Sequence, residues 1–179
     1  MLNISNTALV VIDIQSKLWN IAYEKESLLE NAIRLVKGAQ VLGVPVIYTE
    51  QNPKGLGTTV PELAQLMPNI QPLYKTTFSC YKEPTFKQAI EALNRKQILI
   101  CGIESHICVY QTTMELLASG YEVNVVADLV SSRFARNRDI ALSRMQSEGA
   151  KLSVVEMALY ELMQTSETPC FRDILKVVK

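Results

Sequence analysis

The chain has 179 residues, with 18 Lys and Arg, 18 Asp and Glu, one His and four Cys, so its formal net charge is zero. A neutral chain has no electrostatic attraction to polyanions, which argues against a dedicated nucleic-acid or membrane-surface binder. With 48% hydrophobic and 20% charged residues the chain is neither disordered nor fibrous, and its length predicts one domain over residues 1–179.

The first part of the chain alternates short apolar runs with one amphipathic stretch. Ala8–Ile12 is predicted to be the first strand. Ser27 is predicted to cap a helix that ends near Gly43, because an acid three residues after the serine completes a capping box. Val44–Tyr48 is the second predicted strand, and Gln51–Thr59, which is rich in turn-forming residues, is predicted to be a loop.

The remaining chain continues the alternation of strands and helices. Further strands are predicted at Pro72–Tyr74, Gln97–Cys101, Glu122–Ala127 and Lys151–Val155, and helices at Pro84–Leu93, Cys108–Ser119 and Arg138–Gly149. Strands rich in Val and Ile that alternate with helices are typical of a parallel sheet buried on both faces. The sequence therefore predicts an α/β fold, a doubly wound six-stranded parallel sheet with helices on both faces.

Three reactive side chains follow predicted strands, where the ligand crevice of such a sheet lies. Asp13 follows the first strand, Lys75 follows Pro72–Tyr74, and Cys108 stands at a predicted helix start. A helix N-terminus and a nearby cation favour the thiolate, and a carboxylate can accept the thiol proton. Together they predict an acyl-transfer site. Each also has an ordinary interpretation: a capping Asp, a solvated Lys and a small buried Cys.

Four segments, in this order along the chain, resemble the isochorismatase-like cysteine hydrolases, a superfamily that includes nicotinamidases and carbamoylsarcosine amidohydrolases. They are Leu9–Gln15, Tyr74–Ser79, Gly102–Val109 and Val126–Arg133. The first resembles the strand that ends in Asp-x-Gln, the second the lysine segment, the third the turn that carries the nucleophile, and the fourth a later strand-to-loop passage. A match of four ordered segments is more specific than any one of them.

The resemblance implies roles for individual residues. Cys108 would be the nucleophile, Asp13 the general base and acid, and Lys75 the cation that orients both. The peptide bond between Ile103 and Glu104 would be cis, and the backbone N–H groups of Glu104 and Cys108 would form the oxyanion hole. The substrate would be a small amide or related acyl compound, cleaved through a thioester, and the protein would be a homo-oligomer.

The chain departs from the nicotinamidases at the segment after the second strand. Those relatives hold a metal there with an Asp and His residues, whereas Thr49–Asn52 contains no His and His106 is the only one in the chain. One imidazole cannot supply such a metal shell, so we expect neither a metal nor a cofactor. Gln15 and Trp19, near the end of the first strand, are candidate substrate-binding residues, although ordinary packing accounts equally well for Trp19.

A second functional class stays open at this point. The chain could be a non-catalytic member of the same fold, an oligomeric scaffold or a small-ligand-binding module. No basic segment precedes the first strand and no apolar run reaches the ~18 residues of a membrane helix, so neither a signal peptide nor a membrane partner is expected. The four Cys include no CxxC pair, which favours reduced thiols and a cytoplasmic protein.

Overall fold

The computed structural model describes all residues, Met1–Lys179, and has a six-stranded parallel sheet at its centre. The strands are β1 (Thr7–Ile12), β2 (Val46–Gln51), β3 (Leu73–Lys75), β4 (Gln97–Ile103), β5 (Glu122–Ser131) and β6 (Lys151–Ser153). Their order across the sheet is β3-β2-β1-β4-β5-β6, and every neighbouring pair is parallel. This arrangement confirms the predicted fold class.

The helices lie on both faces of the sheet. They are α1 (Ser16–Asn20), α2 (Lys25–Val41), α3 (Pro53–Leu56), α4 (Pro61–Ala64), α5 (Pro84–Ala92), α6 (Tyr110–Ala118), α7 (Ala135–Ser147), α8 (Val155–Met163) and α9 (Phe171–Val178). The apolar sides of α2, α8 and α9 pack on one face, and those of α5, α6 and α7 on the other. None of the helices combines the length and the apolar character that crossing a membrane requires.

Strand β1 shows why the sheet needs two helical layers. Leu9 and Val11 point into the layer that contains α2, whereas Ala8, Val10 and Ile12 point into the layer that contains α5 and α6. Successive side chains of a strand point to opposite faces, so an unbroken apolar run is stable only when both faces are covered. Each large side chain buried in this way contributes about 1.5–3 kcal/mol before the cost of ordering the chain.

Several element boundaries differ from those predicted. Helix α2 begins at Lys25, two residues before Ser27, so Ser27 lies inside the helix and does not cap it; the residue before the helix, Glu24, is left-handed (φ 52°). Strand β2 begins later and extends to Gln51, since Thr49–Gln51 pairs with the short strand β3. Strand β5 likewise extends beyond Ala127, because its last residues pair with the end of β4. These extensions depend on pairing with distant strands, which local patterns do not encode.

The end of the chain also differs from the sequence prediction. The strand predicted for Lys151–Val155 ends at Ser153, and helices α8 and α9 follow it. Both bury apolar side chains against α2, among them Leu159 and Ile174. They complete the layer on that face of the sheet.

The carboxyl ends of the central strands meet at one edge of the sheet. Strand β1 lies between β2 and β4, the point where the order of the strands reverses. In open parallel sheets ligands bind beside this point. Asp13 follows β1, Gln51 ends β2, Lys75 ends β3 and Glu104 follows β4, so the fold brings four polar side chains to the same edge.

Gly102 permits the close approach of β4 to β1 just before this edge. It pairs with Ile12, and its φ of +127° is a conformation that residues with a Cβ rarely adopt. A Cβ built on Gly102 would lie 2.7 Å from the carbonyl carbon and 2.8 Å from the nitrogen of Ile12. Backbone atoms in a central strand cannot move aside without breaking the sheet.

We therefore expect Gly102→Ala to lower the free energy of unfolding by about 3 kcal/mol or more, measured by urea denaturation. Gly120→Ala is the matched control, because Gly120 also has a positive φ (+81°) but a Cβ added there would have no heavy atom within 4 Å. Its cost should be only the conformational strain of about 1–2 kcal/mol. Equal losses in the two variants would contradict the role of the close approach.

Candidate active site

The Asp13 carboxylate is fully buried at the end of β1 and has a partner on each oxygen. Its Oδ1 accepts a hydrogen bond from the hydroxyl of Thr49 at 2.7 Å, and its Oδ2 lies 2.6 Å from the Lys75 ammonium. The backbone of Asp13 is left-handed (φ 50°), a conformation in which Asp is enriched among non-glycine residues. The turn after β1 thus directs the carboxylate along the sheet edge toward β2 and β3.

Lys75 provides a fixed positive charge, and all N–H groups of its ammonium are bonded to protein acceptors. Besides Asp13, its ammonium lies 2.6 Å from Gln51 Oε1 and donates to the carbonyl oxygens of Thr77 and Phe78 at 3.2 and 3.3 Å. An ammonium has three N–H groups, so these four acceptors occupy all of them. Burial lowers the pKa of Lys75, but the neighbouring Cys80 and Asp13 outweigh it, and the pKa lies above its ordinary value.

Cys108 lies in a π-helical turn, Ser105–Val109, that follows β4 and leads into α6. Such turns occur mainly as short insertions and frequently at functional sites. The side chain is nearly buried, and its Sγ lies 4.0 Å from Gln51 Oε1. The sequence placed Cys108 at a helix start, and the structure places it just before α6.

The thiol of Cys108 is held in its protonated form. Burial, and after it the charge of Asp13, raise its pKa to about 12 against the opposing charge of Lys75. The sequence predicted that Lys75 and a helix N-terminus would ionise the sulfur. The structure differs because burial and the nearby Asp13 charge outweigh the cation.

Gln51 belongs to this cluster and was not recognised in the sequence. Its side-chain oxygen contacts Lys75 and faces Cys108, while its Nε2 donates to the Thr76 carbonyl at 2.8 Å. Gln51 is the partner of Lys75 in the β2–β3 register, which puts the two side chains next to each other. The sequence could have indicated Gln51 only as a polar residue at the end of a strand. The predicted second strand ended at Tyr48, so Gln51 was assigned to the loop.

Gln15 and Trp19, the predicted substrate-binding residues, both bond to the backbone of the chain. The buried Gln15 amide donates to the carbonyls of Gln51 and Gly57 and accepts from the Gln51 N–H at 2.7 Å. The Trp19 indole donates to the Lys25 carbonyl at 2.7 Å, and its ring packs against the core. Gln15 therefore anchors the end of β2, and substrate contact by either residue stays a prediction.

The turn between β4 and Cys108 contains the residues predicted for the oxyanion hole. The Ile103–Glu104 peptide bond is cis. The Glu104 carboxylate accepts hydrogen bonds from the backbone N–H and from Nε of Arg133, both at 3.1 Å. The Glu104 carbonyl accepts from the N–H groups of Ile107 and Val109, which closes the turn around Cys108. Binding of an oxyanion by the N–H groups of Glu104 and Cys108 stays a prediction.

The isochorismatase domain family matches residues 7–157, which include every residue of this cluster. The chain belongs to the isochorismatase family.

Relatives and solved structures of the family match over nearly the full chain. Isochorismatase domain-containing protein 2 of Danio rerio is 37% identical over 177 residues, covering 99% of this chain and 89% of the relative. A structure named MAR1 ribonuclease from Caenorhabditis elegans has a TM-score of 0.93 at 36% identity, covering 99% of this chain and 91% of that one. The YcaC gene product of Escherichia coli, described as an octameric hydrolase of unknown specificity, has a TM-score of 0.89 at 23% identity, covering 99% and 95%.

Two further polar residues near the isochorismatase-family site, Glu50 and His106, have partners within the protein. The Glu50 carboxylate accepts from the N–H and the hydroxyl of Thr59 at 2.7 and 2.9 Å. His106 Nδ1 lies 2.9 Å from the Ser132 hydroxyl. No three His, Cys, Asp or Glu side chains come together in a group that could hold a metal ion. The expectation of no metal and no cofactor stays a prediction.

A second thiol, Cys80, lies next to the Thr49 hydroxyl that contacts Asp13. Its Sγ is 3.8 Å from the Thr49 hydroxyl, which donates to Asp13. Its backbone N–H donates to Thr112 Oγ1, and that hydroxyl donates to the Cys108 carbonyl at 2.7 Å. Burial raises the pKa of Cys80 to about 12, and the side chain is fully inaccessible. Cys80 thus fills space behind the cluster and connects it to α6.

The ion pair between Asp13 and Lys75 is expected to behave as one buried unit. Asp13→Asn or Lys75→Met alone should each lower the free energy of unfolding by about 3–5 kcal/mol, because each leaves one buried group without its partner. The double variant should lose at least about 2 kcal/mol less than the sum of the two. Urea unfolding of the four proteins measures this coupling.

Lys151→Met is the matched control for that cycle. Lys151 contacts Glu122 at 2.8 Å, but both side chains are exposed, so the loss should stay below about 1 kcal/mol. Additive losses from Asp13→Asn and Lys75→Met would show that the two groups do not act as a pair.

Proposed function

We propose that this isochorismatase-family protein is a cysteine hydrolase that cleaves a small amide or related acyl substrate through a thioester on Cys108. The observation that carries the proposal is the position of the Asp13 carboxylate. It is paired with Lys75 at 2.6 Å, out of contact with water, and its charge lies near enough to Cys108 to raise the pKa of the thiol. A buried acceptor beside a neutral thiol can take the proton as the sulfur attacks.

In the acylation step, the Cys108 proton moves to Asp13 while Sγ bonds to the substrate carbonyl carbon. The backbone N–H groups of Glu104 and Cys108 would hold the resulting oxyanion. Asp13 then returns the proton to the leaving nitrogen, the carbon–nitrogen bond breaks, and an amine or ammonia departs. The acyl group remains on Cys108 as a thioester.

In the deacylation step, water attacks the thioester carbonyl and gives one proton to Asp13. The carbon–sulfur bond breaks, the acid leaves, and the proton returns to the Cys108 sulfur. Lys75 keeps its proton throughout, since all its N–H groups are bonded to protein acceptors. Its charge offsets that of Asp13 in the resting site and that of the sulfur during attack.

The names of two structurally similar proteins bear on the class of reaction. The E. coli YcaC product is called a hydrolase, which agrees with the proposal. The C. elegans protein is called a ribonuclease, and that name makes RNA hydrolysis a second candidate. The net charge is zero, so the chain as a whole does not attract a phosphate backbone, and we favour a small acyl substrate. A non-catalytic scaffold or ligand-binding module is the remaining alternative.

Wild-type protein mixed with a panel of small primary amides and quenched in acid should carry an acyl adduct on Cys108 by intact mass and peptide mapping. Cys108→Ala should carry none, and Cys170→Ala, which alters a thiol outside the cluster, should behave as wild type. Iodoacetamide should label Cys108 at least about tenfold faster than Cys80 at neutral pH, because Asp13 accepts the proton of Cys108.

Other results of that experiment would select the alternatives. Equal labelling rates and no adduct would favour the scaffold. Degradation of RNA by wild type but not by Cys108→Ala would favour the nuclease. All four cysteines are free thiols, which is compatible with the expected cytoplasmic location.

We also propose that the protein is a homo-oligomer, as the E. coli relative is an octamer. Large apolar side chains are exposed on the monomer, among them Phe134 at 65%, Met157 at 57% and Ile140 at 51%. Light scattering coupled to size exclusion should give a mass that is a multiple of 20.1 kDa, and a Phe134→Asp variant should reduce it. A wild-type mass equal to one chain at micromolar concentration would refute this proposal.

A further inference from the structure

The Gln51 side chain has one orientation because of its surroundings. Nε2 donates to the Thr76 carbonyl at 2.8 Å, and Oε1 accepts from the Lys75 ammonium at 2.6 Å. Rotating the amide by 180° would bring its NH₂ group against the ammonium and its oxygen against a carbonyl. The Gln15 amide fixes the Gln51 backbone from both sides. The Oε1 atom is therefore a fixed acceptor beside Cys108.

An unused lone pair of Gln51 faces the sulfur. An amide oxygen accepts two hydrogen bonds, and Lys75 supplies one. Lys75 cannot supply the second, because its other N–H groups go to Asp13 and to the carbonyls of Thr77 and Phe78. Oε1 lies 4.0 Å from Sγ, too far for more than a weak contact with the thiol. A leaving group bonded to the carbon under attack would come within reach of this oxygen.

Asp13 and Gln51 therefore present a hydrogen-bond donor and an acceptor, respectively, to the leaving atom. After attack, Asp13 holds the thiol proton and donates it to that atom, while Gln51 can only accept. An amide nitrogen satisfies both, since its lone pair takes the proton and its own N–H donates to Gln51. The oxygen of an ester takes the proton but presents its second lone pair to the Gln51 oxygen, which is repulsive.

We propose that Gln51 is a specificity-determining residue that selects amides and carbamoyl compounds with an N–H on the leaving nitrogen over esters of the same acid. The inference rests on the proposed cysteine hydrolase function. As the leaving nitrogen gains its proton it becomes positively charged, so its bond to Gln51 strengthens in the transition state. Gln51 thus contributes more to kcat than to KM.

The test compares primary amides and methyl esters of acetic, butyric and benzoic acid. Gln51→Met keeps the length of the side chain and removes the acceptor. It should reduce kcat/KM for the amides, mostly through kcat, by at least about tenfold more than for the esters, since the loss of the Lys75 acceptor affects both classes alike. Gln65→Met, an exposed Gln in the turn after α4, is the matched control and should change neither. Unfolding curves verify that both variants fold.

The same amides and esters also allow a binding test that does not depend on catalytic turnover. Binding to Cys108→Ala, measured by calorimetry, should favour each amide over its ester, and adding Gln51→Met should remove that preference. Equal slowing of amides and esters by Gln51→Met, or an amide preference in the Cys108→Ala background that Gln51→Met leaves unchanged, would overturn the inference. Failure of the proposed function is distinct from this: wild type and Cys108→Ala would then be equally inactive on both compounds.

Discussion

The buried ion pair between Asp13 and Lys75 is the interaction on which the rest of the site depends. Removing two charges from water costs several kcal/mol for each, and their attraction offsets this only when the remaining donors and acceptors are also satisfied. Thr49 serves the carboxylate, while Gln51 and two backbone carbonyls serve the ammonium. The energetic requirement to satisfy the pair therefore fixes the positions of Thr49 and Gln51 beside the Cys108 sulfur.

The parallel sheet makes this pair possible without long connections. Asp13 and Lys75 lie 62 positions apart in numbering, but the strands that carry them end at the same edge, separated only by β2. Because β2 lies between them, its last residue, Gln51, touches Lys75 and faces the sulfur. The adjacent β4 leads into the turn that holds Cys108. The strand order, rather than any one loop, brings the groups together.

Burial changes the chemistry expected of the thiol. A cysteine beside a cation would ordinarily be a thiolate, yet burial and the Asp13 charge raise the pKa of Cys108 to about 12. The resting site therefore holds a neutral thiol next to a charged pair, and the nucleophile forms only as its proton moves to Asp13. A buried neutral thiol is less exposed to adventitious oxidation than a free thiolate, because the thiolate is the reactive form.

The amino-acid sequence by itself determined the alternation of strands and helices, the α/β class and the positions of Asp13, Lys75 and Cys108 at or after the ends of strands. Those features follow from local periodicity and from the order of apolar runs, which do not need distant contacts. The protonation state of the sulfur, the true end of β2 and the place of Gln51 were decided only by the tertiary structure. Each depends on burial or hydrogen bonds contributed by several strands at once, and such contacts exist only after the chain has folded.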